Sequence, residues 1–179
     1  MMKQASLFRA FSVPALAFAL MSCAEGVQPT QVDVPDAAQL THGTGPALLE
    51  CPTDVTKSTS KTIDLLGGTL ELDGHKVVIP ANAVLIPTTF TLEVPAGNYM
   101  KIHVNAAGHA HYQFEKPVSL TISYARCTRS NIEKHNLVIS HVDEVTNAIL
   151  ANMGGTDDKT ARTVTTGTDH LSGYVITTP

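Results

Sequence analysis

Three sets of residues have the types and spacing to do chemistry, beginning with the cysteines at 23, 51 and 127. Cys51 and Cys127 stand at the edges of the segment that reads as a folded core. They are far apart and lack a Cys-x-x-Cys, so they do not make a metal site. They are either paired or buried as free thiols. Pairing is the expectation, because the compartment permits disulfides, and it would tie the entry strand to the end of a central strand. The second set is His109-x-His111, which on a strand would share one face at ligand spacing. His103 or His141 would supply a third ligand. Against this, the chain has eight histidines, and a close pair on an edge strand is unsurprising, so no metal is expected. The third set is the acidic pairs Asp143-Glu144 and Asp157-Asp158. Neither has the spaced Asp/Asn pattern of a calcium loop, and solvated turns are the expectation.

Other chemistries lack their motifs. There is no Gly-x-Ser-x-Gly elbow and no phosphate-binding glycine loop before a helix. Tyr99, Tyr112, Tyr124 and Tyr174 could line a carbohydrate platform, but tryptophan is absent and core or interface positions explain them more simply. No cofactor is expected.

The N-terminus carries an address. Lys3 and Arg9 form a basic region, and residues 11–21 are apolar apart from Ser12 and Pro14. The run is too short to span a bilayer and ends in Leu20-Met21-Ser22-Cys23. That ending resembles a bacterial lipobox, in which the signal peptide is cut before the cysteine and the cysteine is acylated. Several acyl carbons, each worth about 0.8 kcal/mol when buried, would hold the protein on a membrane without a spanning helix. The alternative is an ordinary secretory signal with an incidental cysteine. Ala24, where an aspartate would favour inner-membrane retention, leans toward the outer membrane. Loss of residues 1–22 removes Lys3 and Arg9, leaving 10 basic against 16 acidic residues, a formal charge of −6. Basic residues are scattered apart from Arg126 and Arg129, so the surface lacks the footprint of a nucleic-acid binder.

The elements that must position these residues are strands. Residues 23–50 are rich in proline, glycine and small polar residues and read as a flexible tether, with a helical turn conceivable at 37–40. From 51 to 179 the pattern is β. Asp73-Gly74 between two alternating runs is a strong hairpin signal. It pairs Leu72 with His75, Glu71 with Lys76 and Leu70 with Val77. Leu70, Leu72, Val77 and Ile79 then share one face. Alternation continues at 61–66, 88–94, 99–104, 118–124 and 137–142, with a short strand at 109–114 and closing strands at 162–166 and 170–177. Residues 147–153 read as a strand or a turn of helix. About nine short strands with turn signals every 8–12 residues predict an antiparallel β-sandwich.

The residues Gly67-Gly68-Thr69-Leu70-Glu71-Leu72 and His75-Lys76-Val77-Val78-Ile79-Pro80-Ala81-Asn82-Ala83, followed by Phe90-Thr91-Leu92, resemble the opening of the ZU-five domain of zonula occludens proteins, netrin receptors and ankyrins. Phe114-Glu115-Lys116-Pro117-Val118 and His170-Leu171-Ser172-Gly173-Tyr174 are similar to later parts of that family. The resemblance covers roughly residues 61–176 and is loosest from 126 to 158. It implies a β-sandwich used for protein–protein contact. Some relatives cleave themselves within His-Phe-Ser, which maps onto His170-Leu171-Ser172 with leucine in place of phenylalanine. With His170 and Ser172 on one strand face, the Ser172 hydroxyl would attack the Leu171 carbonyl, given strain in that peptide bond. The other role the resemblance implies is structural, a hydrogen bond between the two that pins the final strand.

Together these readings predict a lipid-anchored bacterial envelope protein: a signal peptide at 1–22, lipidation at Cys23, a tether, and one ZU-five-like sandwich. Its expected role is non-enzymatic, as an adhesion, scaffold or interaction module with a protein partner on the envelope. The alternatives are self-cleavage between Leu171 and Ser172, and a carbohydrate- or metal-binding accessory domain.

Overall fold

The computed structural model describes residues 46–128, 132 and 135–178. Cys23, the signal segment, the tether up to residue 45 and Arg129 lie outside the described residues. The described chain is an antiparallel β-sandwich. Its strands are β1 (Ala47–Leu48), β2 (Glu50–Thr53), β3 (Lys57–Ile63), β4 (Gly68–Leu72), β5 (His75–Ile79), β6 (Thr88–Val94) and β7 (Gly97–Tyr99). They continue as β8 (Lys101–Ala106), β9 (Gln113–Ser123), β10 (Val138–Val142), β11 (Ile149–Gly154), β12 (Thr156–Asp158), β13 (Thr163–His170) and β14 (Gly173–Thr178). One sheet has the order β11-β10-β14-β8-β6-β3, with β1 also pairing β14. The second has the order β12-β13-β9-β5-β4, and β2 and β7 form a separate ribbon.

The Asp73-Gly74 hairpin forms in the expected register, with Leu72 opposite His75, Glu71 opposite Lys76 and Leu70 opposite Val77. Asp73 and Gly74 both have positive φ, 51° and 85°, as a type I′ turn requires. Leu70, Val77 and Ile79 are buried, and Leu72 packs against the core from a partly buried position. Glu71 and Lys76 pair across the exposed face at 3.4 Å. The preceding Gly67 has a φ of 75°, and a Cβ there would lie 2.4 Å from the Ile79 carbonyl oxygen. A Cβ on Gly68 would lie 2.5 Å from Ile63 Cδ1. The Gly-Gly pair thus lets the chain leave β3 and lie close against β5.

The core lies between the sheets, filled by Phe90, Leu92, Ile102, Val104, Leu120, Ile122, Ile139, Tyr124, Tyr174 and Ile176, all buried. Alternation along β6, β8 and β9 delivers Phe90, Leu92, Ile102, Val104, Leu120 and Ile122 to the core. Cys51 and Cys127 form a disulfide with 5.1 Å between their Cα atoms.

Several boundaries differ from the sequence reading. Among the described residues the first strand starts at Ala47, which pairs with Thr178, so residues 47–50 belong to the sandwich and not to the tether. Residues 109–112 are not a strand: they form a turn with one isolated bridge at His109. The expected strands at 109–114 and 118–124 are replaced by β9, a single run through Pro117. Pro117 is tolerated because the β13–β9 register slips between Thr168 and His170, so it sits at an irregularity where no ladder donor is needed. Residues 147–153, left open between strand and helix, are mostly β11, an edge strand.

Candidate functional site

The registers sort every connection of the sandwich to one of two ends. Ile63 pairs with Thr88 and Gly68 with Ile79. Ala106 pairs with Phe90, Gln113 with His170, and Val142 with Gly173. The connections at 64–67, 80–87, 107–112, 143–148 and 171–172 therefore share one end. The Asp73-Gly74 turn, the Cys51–Cys127 disulfide and the paired residues Ala47 and Thr178 share the other.

The first end is apolar at its margins. Among the described residues, eight large hydrophobics are exposed, and six of them, Leu65, Leu66, Leu85, Ile86, Val145 and Leu150, lie on or beside these loops. The loops hold one another. Asn82, in left-handed conformation with φ 62°, donates its backbone N–H to Leu65 O at 2.8 Å. Ile86, just before Pro87, is 75% exposed. On the other margin Asp143 Oδ1 accepts from Val145 N, Thr146 N and Thr146 Oγ1. Those bonds hold its carboxyl below the usual range and present Val145 to solvent. Lys101 Nζ ties the same loop down through Glu144 O and Asn147 Oδ1.

Between the margins lies a histidine-rich strip. The 107–112 turn separates two clefts. One, of about 580 Å³, includes Leu85, Ile86, His109, His111 and Tyr112. The other, of about 310 Å³, includes His109, His111, His141, Glu144, Leu150 and Ser172. The His109 ring packs edge-on against Tyr112, which in turn packs on Phe90 and Phe114.

His170 and Ser172 do not share a strand face. His170 ends β13, and Ser172 lies in the two-residue link to β14. The His170 ring is turned to its own strand end, with Nδ1 3.0 Å from Asp169 Oδ1 and 3.5 Å from Thr168 Oγ1. The link itself is held by ordinary bonds: Leu171 N–H donates to Tyr112 O, and Ser172 O accepts from Val104 N. Neither residue has a positive φ. The pinning is done by Tyr174, which the sequence offers only as a platform, core or interface residue. Tyr174, fully buried, donates its hydroxyl to His170 O and lies 3.2 Å from Thr168 Oγ1. Burial pushes that phenol up to about 12.

The remaining candidates separate. His109 and His111 lie in a turn. His103 is on β8, opposite Gly173 and 3.6 Å from Glu93 Oε1, and burial holds its imidazole below the ordinary value. Among the described residues no three His, Cys, Asp or Glu side chains are arranged to hold a metal. His141 instead meets His170, with ring centroids 5.3 Å apart. Burial first, and then the charge of His170, lower its pKa.

Asp157 is not in a solvated turn. It is in β12 with its side chain 6% exposed, accepting from Tyr124 Oη and Leu137 N and pairing with Lys159 at 2.6 Å. Its oxygens are committed to the fold. Asp158 Oδ1 accepts from Thr160 N and Ala161 N. The tyrosines form no platform, since Tyr124 and Tyr174 are buried and Tyr112 packs on two phenylalanines.

A role not read from the sequence is that of His75. It is buried beside the hairpin turn, 1% exposed, and its Nδ1 accepts from Ser123 N. Desolvation, then the Arg126 charge, lowers its pKa to about 4. The signal was present: pairing with Leu72 puts both side chains on the same face of the hairpin.

The family resemblance stands on its motif residues alone. No protein-family model matches the chain, and no curated protein matches it.

Proposed function

We propose that the protein is a non-enzymatic interaction module of the bacterial envelope, anchored through a lipid on Cys23, which uses the 64–67, 80–87 and 143–148 loop end to hold a protein partner. The observation that carries this reading is the collection of exposed Leu65, Leu66, Leu85, Ile86, Val145 and Leu150 at one end. Large hydrophobics scattered singly need no explanation, whereas a rimmed cluster marks a contact surface. The clefts between them offer a partner both apolar margins and imidazole hydrogen-bonding groups. Residue 46 enters the sandwich beside β14 at the opposite end. The ZU-five resemblance, with its implied protein-contact role, agrees with this reading.

The test uses cells expressing the full chain. Cys23→Ser should release the protein from the membrane fraction. Leu66→Ser with Ile86→Ser should leave it in the membrane and properly folded, yet lose envelope proteins cross-linked to the parent. Cross-linked partners that are unchanged in the double variant would contradict the reading. An intact mass under denaturing conditions tests the self-cleaving alternative, which requires an eight-residue C-terminal fragment, residues 172–179.

A further inference from the structure

We propose that His141 and His170 form a two-histidine site for a divalent copper or zinc ion at the loop end. The two residues come from different sheets: His141 is on β10 and His170 ends β13. Their ring centroids are 5.3 Å apart. A metal held at about 2.1 Å by an imidazole nitrogen lies about 3.2 Å from that ring's centroid, and two such arms at a tetrahedral angle separate the centroids by about 5.2 Å. The observed spacing allows the two rings to share one ion.

The shell behind the rings fits the same role. Asp169 Oδ1 lies 3.0 Å from His170 Nδ1. A proton on Nδ1 donated to that carboxylate leaves the Nε2 lone pair as the ligand and fixes the ring, the arrangement found behind metal-bound histidines. The His170 side chain is 41% exposed, so an ion can enter and water can complete its coordination. Imidazole ligands suit copper and zinc over magnesium or calcium, and copper should bind more tightly than zinc. The pair is different from the His109-x-His111 pair that the sequence suggests. Bound metal would join the two sheets where Tyr174 already pins the β13–β14 link. The metal proposal does not depend on the contact role, although His141 also lines one of the clefts offered to a partner.

The experiment adds Cu(II) alone, then Zn(II) alone, to the full chain and follows binding stoichiometry and melting temperature. The expected result is one ion per chain at this site and a melting temperature that rises with free ion and falls back on chelation. His141→Gln and His170→Gln should each abolish the rise. Asp169→Asn should weaken binding about 10-fold. A His109→Gln, His111→Gln double variant should bind as the parent does. The electron paramagnetic resonance spectrum of the Cu(II)-loaded parent, which does not depend on any variant folding, should show two equatorial imidazole nitrogens. No binding by the parent, a rise that survives both single substitutions, or a spectrum without two imidazoles would overturn the proposal.

Discussion

The two ends of the sandwich are made of the same strands and are built for different tasks. At the entry end, chain is fastened to chain. The disulfide joins Cys51 to Cys127, Arg162 donates to the carbonyls of Ala125 and Cys127, and Asp157 gathers Tyr124, Leu137 and Lys159. Lys57 meets Asp73 at 2.6 Å, and among the described large hydrophobics only Val55 stands exposed there. At the loop end the fastening is by backbone bonds, Asx turns and side-chain hydrogen bonds from Lys101, Lys116 and Tyr174, while leucine, isoleucine and valine face solvent. The disulfide and the Lys57–Asp73 and Lys159–Asp157 pairs are concentrated where the chain enters, and the exposed large hydrophobics are concentrated at the far loops.

The comparison can be broken by removing the fastenings in order of strength. Replacing Cys51 and Cys127 with serine opens a loop spanning 76 positions, and should cost about 4 kcal/mol in denaturant unfolding. A loss under 1 kcal/mol would show that the entry end does not depend on the bridge. Acid should come next. His75 has a folded pKa of about 4 against an ordinary 6.5, so the unfolded chain takes up its proton first. The stability from keeping it neutral is complete above pH 6.5 and is lost as pH falls through 4, amounting to about 3 kcal/mol. His75→Gln should flatten that part of the stability-against-pH curve relative to the parent. Breaking the Lys57–Asp73 pair should matter far less, about 0.5 kcal/mol, because both side chains are roughly half exposed. Smallest of all, Leu66→Ser with Ile86→Ser should change unfolding by less than about 0.5 kcal/mol, since neither side chain is packed. A large loss there would mean that the loop end is part of the core and not a contact surface.

Much of this architecture was legible in the chain because local rules agreed with one another. Asp73-Gly74, the alternation around it and the Glu71–Lys76 pair specify one register, and the structure adopts it. Strands β6 and β8 were legible for the same reason, as was the disulfide. What escaped depended on partners distant in sequence. Separate strands at 109–114 and 118–124 were expected, yet β9 runs through Pro117 because a slip against β13 absorbs the proline. Asp157 looked solvent-bound until Tyr124 and Leu137 came to meet it. His109-x-His111 and His170-Leu171-Ser172 were attractive because their members are neighbours in sequence. The folded chain instead brings together His141 and His170, from strands in opposite sheets. The exposure of Leu65, Leu66, Leu85 and Ile86 was equally hidden, since an apolar run next to a strand gives no sign of facing outward until the register is known.

The central claim is that the loop end, and not the entry end, meets the partner. It is tested most directly by placing a photo-crosslinking amino acid at position 66 or 86 in one set of cells and at position 55 in another, then irradiating intact envelopes. Each of the three native side chains is well exposed. The account predicts a discrete protein adduct from positions 66 and 86 and none from position 55. An adduct from position 55 alone would contradict it.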